Sequence, residues 1–487
     1  MLLAKLEEIV GAENIETSPL LMEKFARDIS FVNSIRPRCI VRPRDTSDVK
    51  NIVALARETG TPLVPVSSGE PHFRGDTVPA IGGAVIVDLS GMKKIIYVDR
   101  KNRVAMFEAG VTFGELIPEI AKEGLRMNMP LLPRISKSIA GSLLEREPVI
   151  MPKYQWDIAD PLACLEIIFG TGDMFRTGSA AGSGTIEEQW AAGGAQKEAA
   201  GPSSLSWYRV IQGSQGTMGI VTWVSARCEL LPALEEPYFI AADDINGLLE
   251  MVHWLIRLRL VNECFILNDT NLAMIMAENG KDDYQRLKGN LPHWILFYNI
   301  AAYDYLPEER MAGQVKDVTE LAGRIGVEPV KTIVGIAAAD FLSIIQQPCA
   351  EPCWKLRRKG ACQEIFPLTV FDDLHRMIAT VDDAANTSGY PVSEIGIYLQ
   401  PIVQGVNWHC EFDLFYDDGN PEESAKVRAL SDKVVNNLIS QGAFFSRPYG
   451  NNARMIMNRD AASLEIFRKV KAVVDPDNIM NPGKLCC

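Results

Sequence analysis

Between Pro65 and Pro79 the chain reads PVSSGEPHFRGDTVP, a run of small and turn-forming residues directly after the apolar TPLVPV. Consecutive small side chains let backbone N–H groups converge on one anion, as phosphate-cradling loops do. The run has no G-x-x-x-x-G-K-[ST] pattern, and no G-x-G-x-x-G opens a helix there, so neither a Walker-type site nor a Rossmann site is indicated. Taken alone, the loop reads equally well as an ordinary turn. A second concentration of glycine lies in GSQGTMG at 213–219, just ahead of the β-rich IVTWVSARCELLP, where a missing Cβ allows close backbone approach. Ten cysteines stand at 39, 164, 228, 264, 349, 353, 362, 410, 486 and 487. Cys349, Cys353 and Cys362 form the one cluster, but a fourth ligand at regular spacing is missing, so free thiols in a reducing compartment are expected rather than a metal site.

The surrounding elements follow from hydrophobic period. Val49, Ile52, Val53 and Ala56 fall at i, i+3, i+4, i+7 behind Thr46 or Ser47 as cap, predicting a helix over about 46–58 between two short strands. Strand-like runs follow at 82–90 and 93–110, a helix at 111–124, and a hairpin over 161–178 turning at Gly170-Thr171-Gly172-Asp173. Residues 178–206 are rich in Gly, Ala and Ser and suggest a surface excursion, a lid or a partner contact. Beyond Pro232 the helical signal rises, with helices over 245–261 and 369–386 flanking strands in 395–417. The tail is a helix stopped by Asp475-Pro476, then an extended turn.

With 487 residues, 47% hydrophobic and 23% charged, the chain has the composition of a globular protein of two or three folding units. A net charge of −13 disfavours nucleic acid and anionic membranes as partners, while leaving room for a local positive pocket. No apolar run reaches the ~18–20 residues of a membrane span. The start, MLLAKLEEIVGAENIETS, carries acids where a signal peptide would be apolar, so a cytoplasmic protein is expected.

The order of the segments, from VRPRDTSDVKNIVALARETGTPLVPV through the 65–79 loop, LEIIFGTGDMFRTG and GSQGTMGIVTWVSARCELLP to the closing VDPDNIMNPGK, resembles the flavoprotein family of vanillyl-alcohol oxidase and 4-cresol dehydrogenase, within the wider FAD-linked oxidases. The resemblance implies an α+β fold: a PCMH-type FAD-binding domain of two subdomains over 1–232, an α+β cap over 233–440 and a C-terminal segment, 441–487, that returns to the FAD domain. It implies FAD as cofactor. Pro65, Val66, Ser67, Ser68, Gly69, His72 and Gly75 would lie along the pyrophosphate. Ser138, Ile139, Ala140, Gly141 and Ser142 would form a second flavin-contacting stretch, with Gly213, Gly216, Gly219 and Ile220 a third.

In phenol-oxidising members a Tyr in the phosphate loop and a Tyr-Arg pair near the C-terminus hold a phenolate. This chain has Arg74 at the first position and Ala453-Arg454 at the second. The change from tyrosines to two guanidinium groups suggests an anion such as a carboxylate. Asp157 would manage the proton beside flavin N5. His409, on a cap strand, and His72 are candidates for flavin attachment, or else hydrogen-bonded side chains. The His-rich metal motif of the glycolate and D-lactate branches is absent, and no metal is expected. The implied activity is hydride transfer to flavin N5 from a small aromatic or acidic alcohol or alkyl substrate. Two alternatives stand beside it: a 2-hydroxy-acid dehydrogenase feeding a protein acceptor, and a flavin-binding scaffold subunit. An electron-transfer protein or cytochrome subunit is a possible partner, and a homo- or hetero-oligomer is expected.

Overall fold

A computed structural model of the protein describes residues 2–152, 161–201, 206–277 and 281–486. The first layer is a four-stranded sheet in the order Ile15–Glu16, Cys39–Val41, Val85–Asp88, Leu63–Val66. Its last three strands run parallel, with Val85 in register with both Cys39 and Leu63. Parallel neighbours need a crossover. It is supplied by the helix Thr46–Thr59, which buries Val49, Ile52, Val53 and Ala56. The helix starts one residue before the expected cap: Asp45 accepts from the Asp48 amide, and Gly60 closes the C-terminus at φ 61°.

A second sheet of six strands packs beside it in the order Ile95–Asp99, Val104–Glu108, Gly219–Leu230, Leu162–Phe169, Met174–Arg176, with Leu125–Met127 also paired to Gly219–Leu230. The expected hairpin is there, turning between Phe169 and Met174. Residues 178–201 do not form a lid. They dock on the outside of this sheet, where Ala180 and Ile186 pack against Cys164 and Trp223. Ser225 Oγ donates to the Gln196 carbonyl at 2.5 Å. Small residues suit this role because the backbone itself must lie flat on the strands.

From Leu234 onward a seven-stranded sheet takes over, centred on Cys264–Asn268, Ile395–Ile402 and Asn407–Asp417. Helices Asn246–Arg257, Pro307–Ile325, Leu374–Ser388 and Pro421–Ser440 cover one face. On the other, Phe265, Phe297 and Phe341 share a core with Leu132 and Ile150, from the connection between the strands Leu125–Met127 and Leu162–Phe169, so this face is pressed against the first half of the molecule. The C-terminal segment returns as expected. Helix Ala461–Val474 is followed by a strand-like contact in which Leu63 N donates to Ile479 O and Asn481 N to Leu63 O, each at 2.8 Å. No helix among the described residues is long and apolar enough to cross a membrane. Cysteines 39, 164, 228, 264, 349, 353, 362, 410 and 486 are free thiols.

Candidate active site

A cavity of about 230 Å³ lies where the three sheets meet. One of its walls is main chain and small side chains. Pro65, Val66, Ser67, Ser68 and His72 reach it from the end of the Leu63–Val66 strand, Ala140 and Gly141 from a short helix, and Gly213, Gly216 and Gly219 from the lead-in to Gly219–Leu230. Strand ends converging on a helix start give clustered N–H donors without bulk. Ser138 sets that helix: its Oγ accepts from Gly141 N at 3.0 Å and donates to Ala109 O at 2.6 Å, and its own amide donates to Ser68 Oγ at 3.0 Å. Space requires one glycine and favours another. A Cβ on Gly216, whose φ is +72°, would stand 2.5 Å from Pro65 Cγ, while one on Gly141 would stand 3.3 Å from Ser67 Oγ, a close contact that the serine would have to relax.

The closing turn clamps this wall. Asn481 Nδ2 donates to Asp76 O at 3.0 Å and to Gln215 O at 2.7 Å, and Lys484 Nζ donates to Gly75 O at 2.6 Å. Buried Lys471 adds a bond to Thr217 O at 2.7 Å. The 65–79 loop and the Asn-Pro-Gly-Lys turn are thus one unit.

The remaining residues of the three expected stretches lie behind the wall. Gly69 O accepts from Arg134 Nη2 and Gly75 N donates to Asp28 Oδ2. Ile139 and Ile220 are core residues. Ser142 Oγ donates to Glu147 Oε2 at 2.7 Å. His72 is buried on the wall itself, and its Nε2 has no hydrogen-bond partner among the described residues. Burial, reinforced by the Arg134 charge, pushes its pKa down to about 4, so the ring is neutral.

The opposite wall is made of charged side chains. Arg74 does not pair with Asp76. It meets Glu145, Glu147 at 3.0 Å and Glu364 at 3.2 Å. Lys137 joins the first two carboxylates at 3.0 and 2.7 Å. Lys355 sits among Glu364, Glu411 and Asp413 at 2.6, 2.5 and 3.2 Å. Burial opposes charge on Arg74 and Lys355, but the carboxylates outweigh it, and both are held well above their ordinary pKa values. Arg447 differs. It is 5% exposed, stacks 4.3 Å over Phe366, and has Nη1 without a partner among the described residues. Burial, and then the neighbouring Arg74, pull its pKa down. Tyr449 lines the same corner, with Arg74 5.5 Å from its ring.

Two sequence expectations about substrate residues change here. Arg454 is exposed on the helix Asn452–Met457, which turns Ala453 inward instead, and it does not line the cavity. Arg447 lines the cavity in addition to Arg74, and Tyr449 brings a tyrosine to the same corner. His409 is fully buried but lies behind the wall, with Nε2 3.2 Å from Glu411 Oε2. Asp157 lies outside the described residues.

Comparison with known proteins fits this geometry. Residues 37–178 match the family model described as FAD binding domain, and 407–485 match FAD linked oxidases, C-terminal domain. The chain belongs to the FAD-linked oxidases. Glycolate oxidase subunit GlcD of Bacillus subtilis is 21% identical over 99% of this chain and 96% of that protein. The 4-cresol dehydrogenase [hydroxylating] flavoprotein subunit of Pseudomonas putida is 22% identical over 92% and 87%. The solved structure of 4-ethylphenol oxidase from Gulosibacter chungangensis superposes with a TM-score of 0.85 at 17% identity, covering 99% of this chain and 96% of that one.

The cofactor of this FAD-linked oxidoreductase is FAD, and the small-residue wall suits it. Orphaned His72 Nε2 and the glycine-lined space at Gly141 and Gly216 offer hydrogen-bonding and close approach to a planar, doubly phosphorylated ligand. The charged wall was missed by sequence reasoning, although one signal was present. In WHCEFDLFY, Trp408, Cys410, Phe412 and Leu414 alternate with His409, Glu411 and Asp413. A strand buried on both faces that carries polar residues at every second position is placing them in a polar site.

Proposed function

We propose that the protein oxidises a small alcohol or benzylic carbon whose substrate carries an anionic group, and that Arg447 grips that group. FAD bound against the small-residue wall supplies the two-electron acceptor. Ser67, Ser68 and His72 would hold it, with Gly141 and Gly216 leaving it room. The observation behind the reading is buried Arg447, whose Nη1 has no partner among the described residues, beside the cavity-lining cations Arg74, Arg134, Lys137 and Lys355, each of which meets a carboxylate. A buried charge without a partner is costly, and a substrate carboxylate would relieve that cost through two parallel N–H···O bonds, or a phenolate through bonds to its single oxygen. Arg74 is saturated by glutamates, so its role is to fix Glu364 and Tyr449 rather than to bind substrate. Tyr449, which lines the cavity, supplies an apolar bed for the substrate's carbon frame, while Phe366 backs Arg74 and Arg447.

The test is an anaerobic screen of aromatic and aliphatic alcohols, with and without an acidic group, for bleaching of bound FAD. Bleaching by acids but not by their esters supports the proposal, and equal bleaching by both defeats it. A second reading is favoured by the glycolate oxidase and D-lactate dehydrogenase relatives: a 2-hydroxy acid, in which the carboxylate sits on the carbon being oxidised. Lactate and glycolate in the same screen separate the two. One relative is named a cytochrome-linked D-lactate dehydrogenase and another a flavoprotein subunit, and we extend a protein electron acceptor to this chain. Faster reoxidation by cytochrome c than by dissolved oxygen supports that extension, and the reverse order overturns it.

A further inference from the structure

Three carboxylates, Glu364, Glu411 and Asp413, bring oxygens within 4.8 Å of one another, and the Lys355 ammonium fills the space between them. Glu364, Glu411 and Lys355 line the cavity, while Asp413 lies behind them at 0% exposure. The charges do not cancel. Three acids face one ammonium, and the nearest further cation, Arg74, is shared between Glu364, Glu145 and Glu147. Two negative charges in excess inside a buried cluster favour uptake of a proton. The groups around Asp413 are Lys355 from the turn at 354–356, Glu364 and Cys362 from one strand, Glu411 from its own strand, and the neutral Asn271 amide, which donates to it at 3.0 Å. Next to these stands His409, fully buried, with Nε2 on Glu411 and Nδ1 without a partner among the described residues.

We infer that this caged ammonium is the proton relay of the oxidation, with Glu411 as the entry and Asp413 as the resting place of the proton. The inference rests on the alcohol reading above. The substrate's O–H bond breaks and its proton joins Glu411, while the electron pair stays on oxygen and becomes part of the new C=O bond. FAD, where bound, would take the hydrogen of the C–H bond together with its electron pair. Glu411 then passes a proton to Lys355 as Lys355 passes one to Asp413, so the ammonium is unchanged. Burial raises Asp413 to about 7, and Glu411 and Glu364 add to the rise against the pull of Lys355. Burial would also raise Glu411, but Lys355 outweighs it and holds it low, so the proton does not stay at the entry.

The test is an infrared pH titration of the oxidised, FAD-loaded protein without substrate, paired with the pH profile of substrate-driven FAD bleaching. A protonated-carboxyl C=O band that titrates near pH 7 and vanishes in Asp413→Asn is expected. The bleaching rate should rise through the same pH in the wild type, and Asp413→Asn should lose that limb and fall about tenfold, with FAD content retained. Glu411→Gln should lose bleaching while keeping the band, moved to lower pH because a charge that raises Asp413 is gone. No carboxyl titrating between about pH 6 and 8 overturns the inference, in a measurement that needs no variant. So does a limb that survives in Asp413→Asn. Failure of every alcohol to bleach FAD strikes the alcohol reading, while the carboxyl band still decides whether the cage holds a proton.

Discussion

On the FAD side of the cavity, contact is made by backbone and by residues too small to interfere: Ser67, Ser68, Gly141 and Gly216. On the cap side it is made by the long charged chains of Arg74, Lys355, Glu364, Glu411 and Arg447. The first wall is held from behind by bonds to main-chain atoms, from Ser138 to the Gly141 amide and, across 266 positions, from Asn481 to the Gln215 carbonyl. The second is held by bonds between charged side chains, such as Arg74 to Glu364 across 290 positions. A main-chain wall tolerates loss of a side chain and fails when a side chain is added. A side-chain wall responds in the opposite way. Charge neutralisation also divides them, because among the described residues the cap wall matches Arg74, Lys137 and Lys355 to carboxylates but not Arg447.

The sharpest way to break the contrast is Gly216→Val. A Cβ there would stand 2.5 Å from Pro65 Cγ at a φ of +72°, which disfavours any β-branched residue. Strain and clash of about 3 kcal/mol should weaken FAD binding at least about a hundredfold. The protein should purify colourless while its far-ultraviolet circular dichroism is unchanged. A yellow Gly216→Val protein would show that the wall yields.

On the opposite wall, Arg447→Met should separate function from stability. Losing the grip on an anionic group should lower kcat/KM for an acidic substrate about a hundredfold. Removing a buried, unpaired charge should raise the unfolding free energy by about 1–2 kcal/mol, because methionine fills the site without a desolvation cost. FAD content should not change. A lower melting temperature in this variant would mean that the guanidinium has a partner inside the folded chain.

How far these walls are legible in the sequence follows from the same difference. The loop at 65–79, the helix start at 138–141 and the glycines at 213–219 are each contiguous, and each is marked by a composition that few other structures need. The strand–helix–strand unit around Val49, Ile52, Val53 and Ala56 is likewise local, and only its cap moved, from Thr46 to Asp45. The cap wall is assembled from single residues on a turn, two strands and two loops, so no window of sequence contains it. Arg454 is the arginine that a family motif singles out in the sequence, and nothing in the sequence around Arg447 marks it. Whether an Arg near a helix start points in or out depends on which neighbour the core takes, and here it takes Ala453. The alternation of His409, Glu411 and Asp413 was the visible trace of the charged wall.

His72 sharpens the comparison as the orphaned, titratable side chain of the otherwise neutral FAD wall. Its pKa is near 4 in the fold against 6.5 in the open chain. Below pH 6.5 the unfolded chain therefore takes a proton that the folded chain refuses. The resulting stability is complete above pH 6.5 and is lost as pH falls toward 4, to a total of about 2–3 kcal/mol. Denaturant unfolding of His72→Gln should show a flatter profile over that window, with little change at pH 8. A wild-type profile that is already flat would mean that the imidazole reaches solvent.

The smallest effect is expected at Ser138, and it tests the principle most directly. Ser138→Ala removes a helix cap and a buried bond to Ala109 O but leaves every main-chain atom of the wall in place. Caps of this kind contribute about 1 kcal/mol. With the helix still anchored by Ile139 and Leu143 in the core, FAD affinity should fall only a few-fold. Titration of the FAD-free protein with FAD, followed by fluorescence quenching, gives that number. If affinity instead fell as far as in Gly216→Val, the serine hydroxyl would be a cofactor contact in its own right, and the division between a main-chain wall and a side-chain wall would not hold at this position.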